Sequence, residues 1–427
     1  AVSLLVALPL LGSCRADDSL NEPAVNDPIF RRYVSLGNSI TAGFQSAGIN
    51  DSTQQRSYAN LLAMAMGTTF NMPVFNNNPF LGNGCPAPFD NNVTQHRVGG
   101  ASASSCSLRA PTSQPINNVA FPGATVSELL SNFGAPPSAT DVYKQFILGG
   151  RTELELMHTL QPTFVSVFIG ANDVLGALLD ANPGNPMLVT PAVDFATDYD
   201  AVLDAVEAEG ARAVLVSVPD VTSIPYANSA AIWFCLKNGN GAGGDCPFPF
   251  PPRDPTISGL PTFSVAANCA PIPPSGGGIP VLVPWPIGLT KLSIAAGLAG
   301  APSPTSIDCS IDAEVVTGAE TVGIATAVAQ YNAHIASEAT ARGFAYFDLN
   351  AAMQALVANG TIPRFPNLAP ALVGQSVGFG TMFSLDGFHP SSLAHRLIAD
   401  GAAAAINTTY GTTLPVPVCG TVSCPAP

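Results

Sequence analysis

Tyr33-Val34-Ser35-Leu36-Gly37-Asn38-Ser39-Ile40-Thr41 is a short apolar run stopped by a turn. The run carries β-branched and aromatic residues and reads as a buried strand. Gly37-Asn38-Ser39 breaks it at once. A serine on a sharp turn at the carboxyl end of a strand lies where open α/β sheets gather reactive groups. An ordinary Gly-Asn-Ser turn also accounts for this segment taken alone. The functional reading is raised by the rest of the chain, above all by Asp386-Gly387-Phe388-His389.

Working outward, residues 163–169, 213–218 and 344–347 are further unalternating apolar runs, closed by Gly170, Pro219 and Asp348. A weaker strand is expected at 72–75 or 118–121. Such runs suit a parallel sheet covered on both faces. Helices are expected over 57–66, 125–133, 194–210, 321–342 and 391–405, between the strands and after the last. Strand–helix alternation predicts a doubly wound α/β fold. Two stretches stand outside it. Residues 76–117 are rich in Asn, Pro, Gly and Ser, and residues 220–319 in Pro and Gly. The second shows no clear helix or strand pattern and is too long for a simple connection. It reads as a disulfide-pinned insertion over the carboxyl edge of the sheet, serving as a lid, a substrate wall, a structural excursion or a partner-docking surface.

Of the 427 residues, 47% are hydrophobic and only 10% charged, so a sizeable core is available while the surface carries few charges. The net charge of -14 repels phosphate backbones and argues against a nucleic-acid partner. Val2 to Leu11 is too short to span a bilayer and fits the apolar part of an export signal, expected over 1–13. Leu11-Gly12-Ser13-Cys14 resembles the bacterial lipobox, which would make Cys14 a lipidated residue followed by a tether to residue 28. The expected location is the cell envelope, through that lipid anchor, with secretion or the periplasm as the alternative. Eight other cysteines suit an oxidising compartment. Nearest-neighbour pairing would join 85–106, 235–246, 269–309 and 419–424. There is no Cys-x-x-Cys, and no histidine pair has ligand spacing on one helix face, so no metal or other cofactor is expected.

The segments Gly37-Asn38-Ser39, Pro122-Gly123-Ala124, Gly170-Ala171-Asn172-Asp173 and Asp386-Gly387-Phe388-His389 together allow acyl transfer. A serine hydroxyl needs a base within hydrogen-bond reach. A histidine suits that role near neutral pH and is commonly oriented by a carboxylate. Asp386 and His389 are three apart, so one tight segment supplies base and orienter. The developing oxyanion needs preorganised donors, for which the Ser39 and Gly123 amides and the Asn172 side chain are candidates.

With these four segments in this order, the chain resembles the SGNH hydrolases, also called the GDSL esterase and lipase family. The resemblance covers roughly 32–219 and 321–406. It implies Ser39 as nucleophile, His389 as base and Asp386 as its orienter. It implies an oxyanion hole of Ser39, Gly123 and Asn172. It also implies a flavodoxin-like three-layer α/β/α sandwich, with a mostly parallel five-stranded sheet in the order 2-1-3-4-5. The hydrolase domain would span 29–410, with insertions at about 76–117 and 220–319 and a tail at 411–427. The family's first segment usually reads Gly-Asp-Ser-Leu, whereas Asn38 stands here at the second place.

Other candidates carry less. His395 reads as a packing or surface histidine, His96 as a loop residue, and His158 and His334 receive no role. Asp173 is expected to brace its turn, and Phe388 to pack. The apolar run 246–252 lines a site or fills a loop. The leading expectation is a serine esterase or lipase acting on a small or lipid-like ester. The alternative is a non-enzymatic surface lipoprotein that uses the hydrolase scaffold and its insertions as a binding module.

Overall fold

The computed structural model describes residues 25–75, 86–100, 115–131, 144–240, 244–246, 250–271, 280–298, 300–363, 365–420 and 424. Its frame is a parallel sheet of β1 (Tyr33–Gly37), β2 (Phe164–Phe168), β3 (Arg212–Val216) and β4 (Ala345–Phe347), in that spatial order. Tyr33 pairs with Phe164, Phe164 with Arg212, and Val214 with Ala345, all in parallel register. The expected fifth strand is reduced, among the described residues, to one parallel bridge between Ser35 and Asn118. That bridge lies on the free edge of β1, where the order 2-1-3-4-5 puts the second strand. Asn117 and Asn118 turn their side chains onto neighbouring backbone, at the Tyr33 and Thr41 carbonyls, and regular pairing goes no further.

Alternation along the strands sorts side chains into two apolar layers. Val34, Leu36, Val165, Val167, Ala213 and Leu215 face one cluster. Tyr33, Phe164, Phe168, Val214, Val216 and Ala345 face the other. The first is covered by α3 (Glu153–Leu160), α4 (Asn172–Leu179), α5 (Ala192–Ala208) and α8 (Gly318–Arg342). The second is covered by α2 (Tyr58–Met66) and α10 (Ser392–Tyr410). The chain is therefore a three-layer α/β/α sandwich. Helix ends follow local chemistry: Thr152 with Glu155 and Thr317 with Glu320 form capping boxes, and Gly343 ends α8 in the left-handed conformation.

Two expectations require correction. Over 125–133 the described residues form only a 3-10 turn at Ser127–Leu129. The Glu128 carboxylate accepts the Thr125 N–H and Asp173 accepts the Val126 N–H, which closes a turn instead of a helix. The stretch 220–319 is not patternless. It holds α6 (Ala230–Asn238) and α7 (Trp285–Ala296), an antiparallel pair of Ala227–Ser229 with Leu282–Pro284, and a parallel pair of Phe263–Val265 with Thr305–Ile307. α6 is apolar on most sides because it is buried, and Pro286 sits in the first turn of α7, where a missing N–H costs nothing.

Among the described residues, disulfides join Cys235–Cys246, Cys269–Cys309 and Cys419–Cys424, as nearest-neighbour pairing expects. Cys14, Cys85 and Cys106 lie outside the described residues. Leu414 and Val418 of the tail pack into the second cluster. Among the described residues no helix is long and apolar enough to cross a membrane.

The Cys269–Cys309 bond closes the longest of these loops, 40 residues apart in sequence. Replacing both cysteines with alanine is expected to cost about 2–4 kcal/mol by urea denaturation. An unchanged midpoint and slope would show that this bond does not hold the insertion.

Candidate active site

Ser39 opens α1 (Ser39–Ala42), a single helical turn at the carboxyl end of β1. Only glycine fits just before it. Gly37 has φ +152°, and a Cβ there would stand 2.3 Å from Thr41 Oγ1 and 2.5 Å from the Phe168 carbonyl. Asn38 caps the turn, its Oδ1 accepting the Ile40 N–H at 3.1 Å. Aspartate would offer the same acceptor, so Asn38 in place of the usual aspartate leaves the turn intact.

The Asp386-Gly387-Phe388-His389 segment precedes α10 and meets Ser39 directly. His389 Nε2 lies 2.9 Å from Ser39 Oγ, and His389 Nδ1 lies 2.8 Å from Asp386 Oδ2. All three residues are more than nine-tenths buried. Asp386 Oδ2 also accepts the Ala47 N–H at 2.6 Å. Its Oδ1 accepts the His389 and Phe388 N–H groups and the Ser384 hydroxyl. Burial pushes the Asp386 carboxyl up, but the His389 charge and these hydrogen bonds outweigh burial and hold it below the usual carboxylate range. An ionised Asp386 keeps the histidine proton on Nδ1 and leaves Nε2 as an acceptor for the Ser39 hydroxyl. The rings of Phe44 and Phe388 flank the imidazole, with centroids 4.9 and 4.4 Å away.

The other two segments are fastened to each other and to the first. Gly123 turns the chain with φ +87°. Asn172 opens α4, and its Nδ2 donates to the Ala124 carbonyl at 2.8 Å. Asp173 braces this junction as expected, accepting the Val126 N–H at 3.0 Å and the Thr190 hydroxyl at 2.9 Å. Asn118 Nδ2 donates to the Thr41 carbonyl, linking the edge segment to the Ser39 turn.

Sequence reasoning did not find Glu153. It is fully buried at the start of α3, and its Oε2 accepts the Gly37 N–H at 2.9 Å. Burial raises its pKa well above the ordinary value, against the pull of the Gly37 and Phe121 backbone N–H groups. Arg97 was missed as well. Its Nη1 donates to the Ala47 and Ala87 carbonyls, so the first insertion holds the loop that feeds Asp386. Neither residue belongs to a local motif, and each acts on backbone far away in sequence.

His395 is a packing histidine: it is fully buried, its Nδ1 accepts the Tyr58 N–H, and burial with the nearby His389 charge lowers its pKa to about 3. His96 pairs with Asp90 on an exposed hairpin, and His158 pairs with Glu209. Among the described residues, Asp200, His334 and Glu338 come close enough to share a cation, but Glu338 already pairs with Arg342.

No family model and no curated protein matches the sequence. Solved structures that resemble it include a GDSL-like lipase from Parabacteroides merdae, 12% identical, over 88% of this chain and 95% of that one, with a TM-score of 0.34. An acetylxylan esterase from Geobacillus stearothermophilus is 11% identical over 90% of this chain and 95% of that one, with a TM-score of 0.36. At that level the likeness bears on neither substrate nor mechanism.

Glu153→Gln keeps an acceptor for the Gly37 N–H and is expected to stay within about 1 kcal/mol of wild type, whereas Glu153→Leu strands that N–H and costs about 1–3 kcal/mol. Equal stabilities would deny the bond any weight. Asp173 provides a pH test. Burial pushes its pKa from 3.8 up to about 7, against its hydrogen bonds to Thr190 and Val126. Between those values the folded state keeps a proton that the unfolded chain has released, so this contribution is full below 3.8 and gone above about 7. Wild type should lose stability relative to Asp173→Asn across that window in urea titrations. Parallel curves would overturn the assignment.

Proposed function

We propose that the protein is an exported serine carboxylester hydrolase similar to the SGNH, or GDSL, esterases and lipases. The observation that supports it best is the unbroken chain from Ser39 Oγ through His389 to Asp386, with links of 2.9 and 2.8 Å. Ser39 Oγ attacks the ester carbonyl while His389 Nε2 takes its proton. The Ser39 and Gly123 N–H groups and the Asn172 side-chain amide stabilise the oxyanion. One Asn172 amide proton is committed to Ala124, and the second is free for the oxyanion. His389 returns the proton to the leaving alcohol. Water then attacks the acyl-enzyme with His389 again as base, restoring Ser39. The ionised Asp386 balances the imidazolium in both halves.

The apolar run 2–11 and Cys14 support export with a lipid anchor, and the disulfides support an oxidising destination. The partners on this reading are a small or lipid-like ester and, through the anchor alone, a membrane. Nucleic acid is not among them.

Hydrolysis of p-nitrophenyl acetate and labelling with a fluorophosphonate test the reading. Ser39→Ala should abolish labelling and lower kcat by about four orders of magnitude or more, and Asp386→Asn by about four. Folded wild type that neither labels nor turns over any ester would leave the non-enzymatic binding module as the better account.

A further inference from the structure

We propose that the cavity between β4, α9 (Leu349–Ala358) and α10 receives a hydrocarbon chain, so that the substrates are esters bearing an aliphatic chain of several carbons. The inference rests on Ser39 being the nucleophile. Three observations carry it.

The first is position. Ile40, the neighbour of Ser39, lines this cavity, and so do Phe388 and Pro390, the neighbours of His389 on either side. Adjacent residues are about 3.8 Å apart along the chain. The apolar wall thus begins one residue from both the nucleophile and the base.

The second is chemistry. Every residue that lines the cavity is apolar, including Phe347, Met353 and Met382. A sugar hydroxyl placed there would lose its water and find no side-chain partner, at a cost of tenfold or more in affinity each. A methylene loses nothing and gains burial. The two methionines add a surface that adapts to chains of different length.

The third is size and access. The cavity measures about 320 Å³, within the range of small-molecule sites. It is not a sealed packing defect: Leu397 at its rim is 41% exposed, and Phe347, Leu349 and Phe383 are only half-buried. Open apolar concavities of this kind mark binding sites on soluble proteins. The neighbouring cavity of about 380 Å³, between Ala47, Tyr226, Trp285 and Asp386, differs because Asn92, Gln95, Thr290 and Ser293 also line it.

The chain has the same chemistry whether it belongs to the acid or to the alcohol, and two ester series separate these cases. One is p-nitrophenyl esters from acetyl to dodecanoyl, and the other is acetates of ethanol to decanol. The protein is the full chain, with Ser39→Ala as the blank. In one series kcat/KM should rise about fourfold per methylene until the cavity is full. Ala352→Phe, which fills the cavity from α9, should cut the ratio of the longest to the shortest ester by at least tenfold. Leu397→Asp, at the exposed rim, should act in the same direction and guards against a misfolded filling variant. Flat or falling profiles in both series, or profiles that neither variant changes, overturn the cavity assignment and leave the esterase reading standing. Absence of any Ser39-dependent hydrolysis overturns both.

Discussion

The Asp386 carboxylate is the constraint around which the site is built. It collects N–H groups from Phe388 and His389 beside it, the His389 ring, the Ser384 hydroxyl, and the Ala47 N–H from 339 residues away in sequence. The far end of that bond is strained. Ser46 and Ala47 both hold positive φ, at 53° and 52°, where residues with a Cβ rarely sit. Each costs about 1–3 kcal/mol and persists only where neighbours over-determine it. The neighbours are visible: Ser46 exchanges hydrogen bonds with Ser384 and Leu385, and Arg97 grips the Ala47 carbonyl. The strain aims the Ala47 N–H at Asp386, and Asp386 aims His389 at Ser39.

Three buried carboxyl groups near the site end in different states for one physical reason. Asp386 faces the His389 ring and several backbone and hydroxyl donors, and its pKa falls despite burial. Asp173 and Glu153 accept hydrogen bonds but face no cation, so desolvation wins and both rise. The ionised group therefore touches the His389 imidazole. The groups that favour the neutral form hold backbone, where charge is not needed.

The strands and their closing turns were legible because each depends on local residues: an apolar run, then Gly37, Gly170 or Pro219. The four short segments were legible because their order along the chain is preserved when parallel strands bring their ends to one edge. Glu153 was not legible. It lies in the first turn of a helix, where acidic residues are common, and its partner Gly37 is 116 residues away. The helices at 230–238 and 285–296 escaped for the opposite reason. The first is apolar and buried round most of its circumference, and the second has only Thr290, Lys291 and Ser293 as polar residues, so neither shows the polar stripe by which a surface helix is read.

The two insertions and the core divide the work differently from what their composition suggests. The first insertion reaches the acid: Asn92 Nδ2 donates to the Leu385 carbonyl, and Arg97 secures Ala47. The second meets the same segment, with the Tyr226 N–H on the Gly387 carbonyl and its ring against Phe388. Both clamp the Asp386 end of the Ser39–His389–Asp386 hydrogen-bond chain. The apolar cavity is made chiefly by β4, α9, α10 and residues 382–390, with the second insertion adding little beyond Ile224. The shape of that cavity is then set by side chains on scaffold helices. Helices hold a wall in place more firmly than loops do, because packing locks their rotamers. Exchanging either insertion would disturb the geometry of Asp386 before it altered the lining of the cavity.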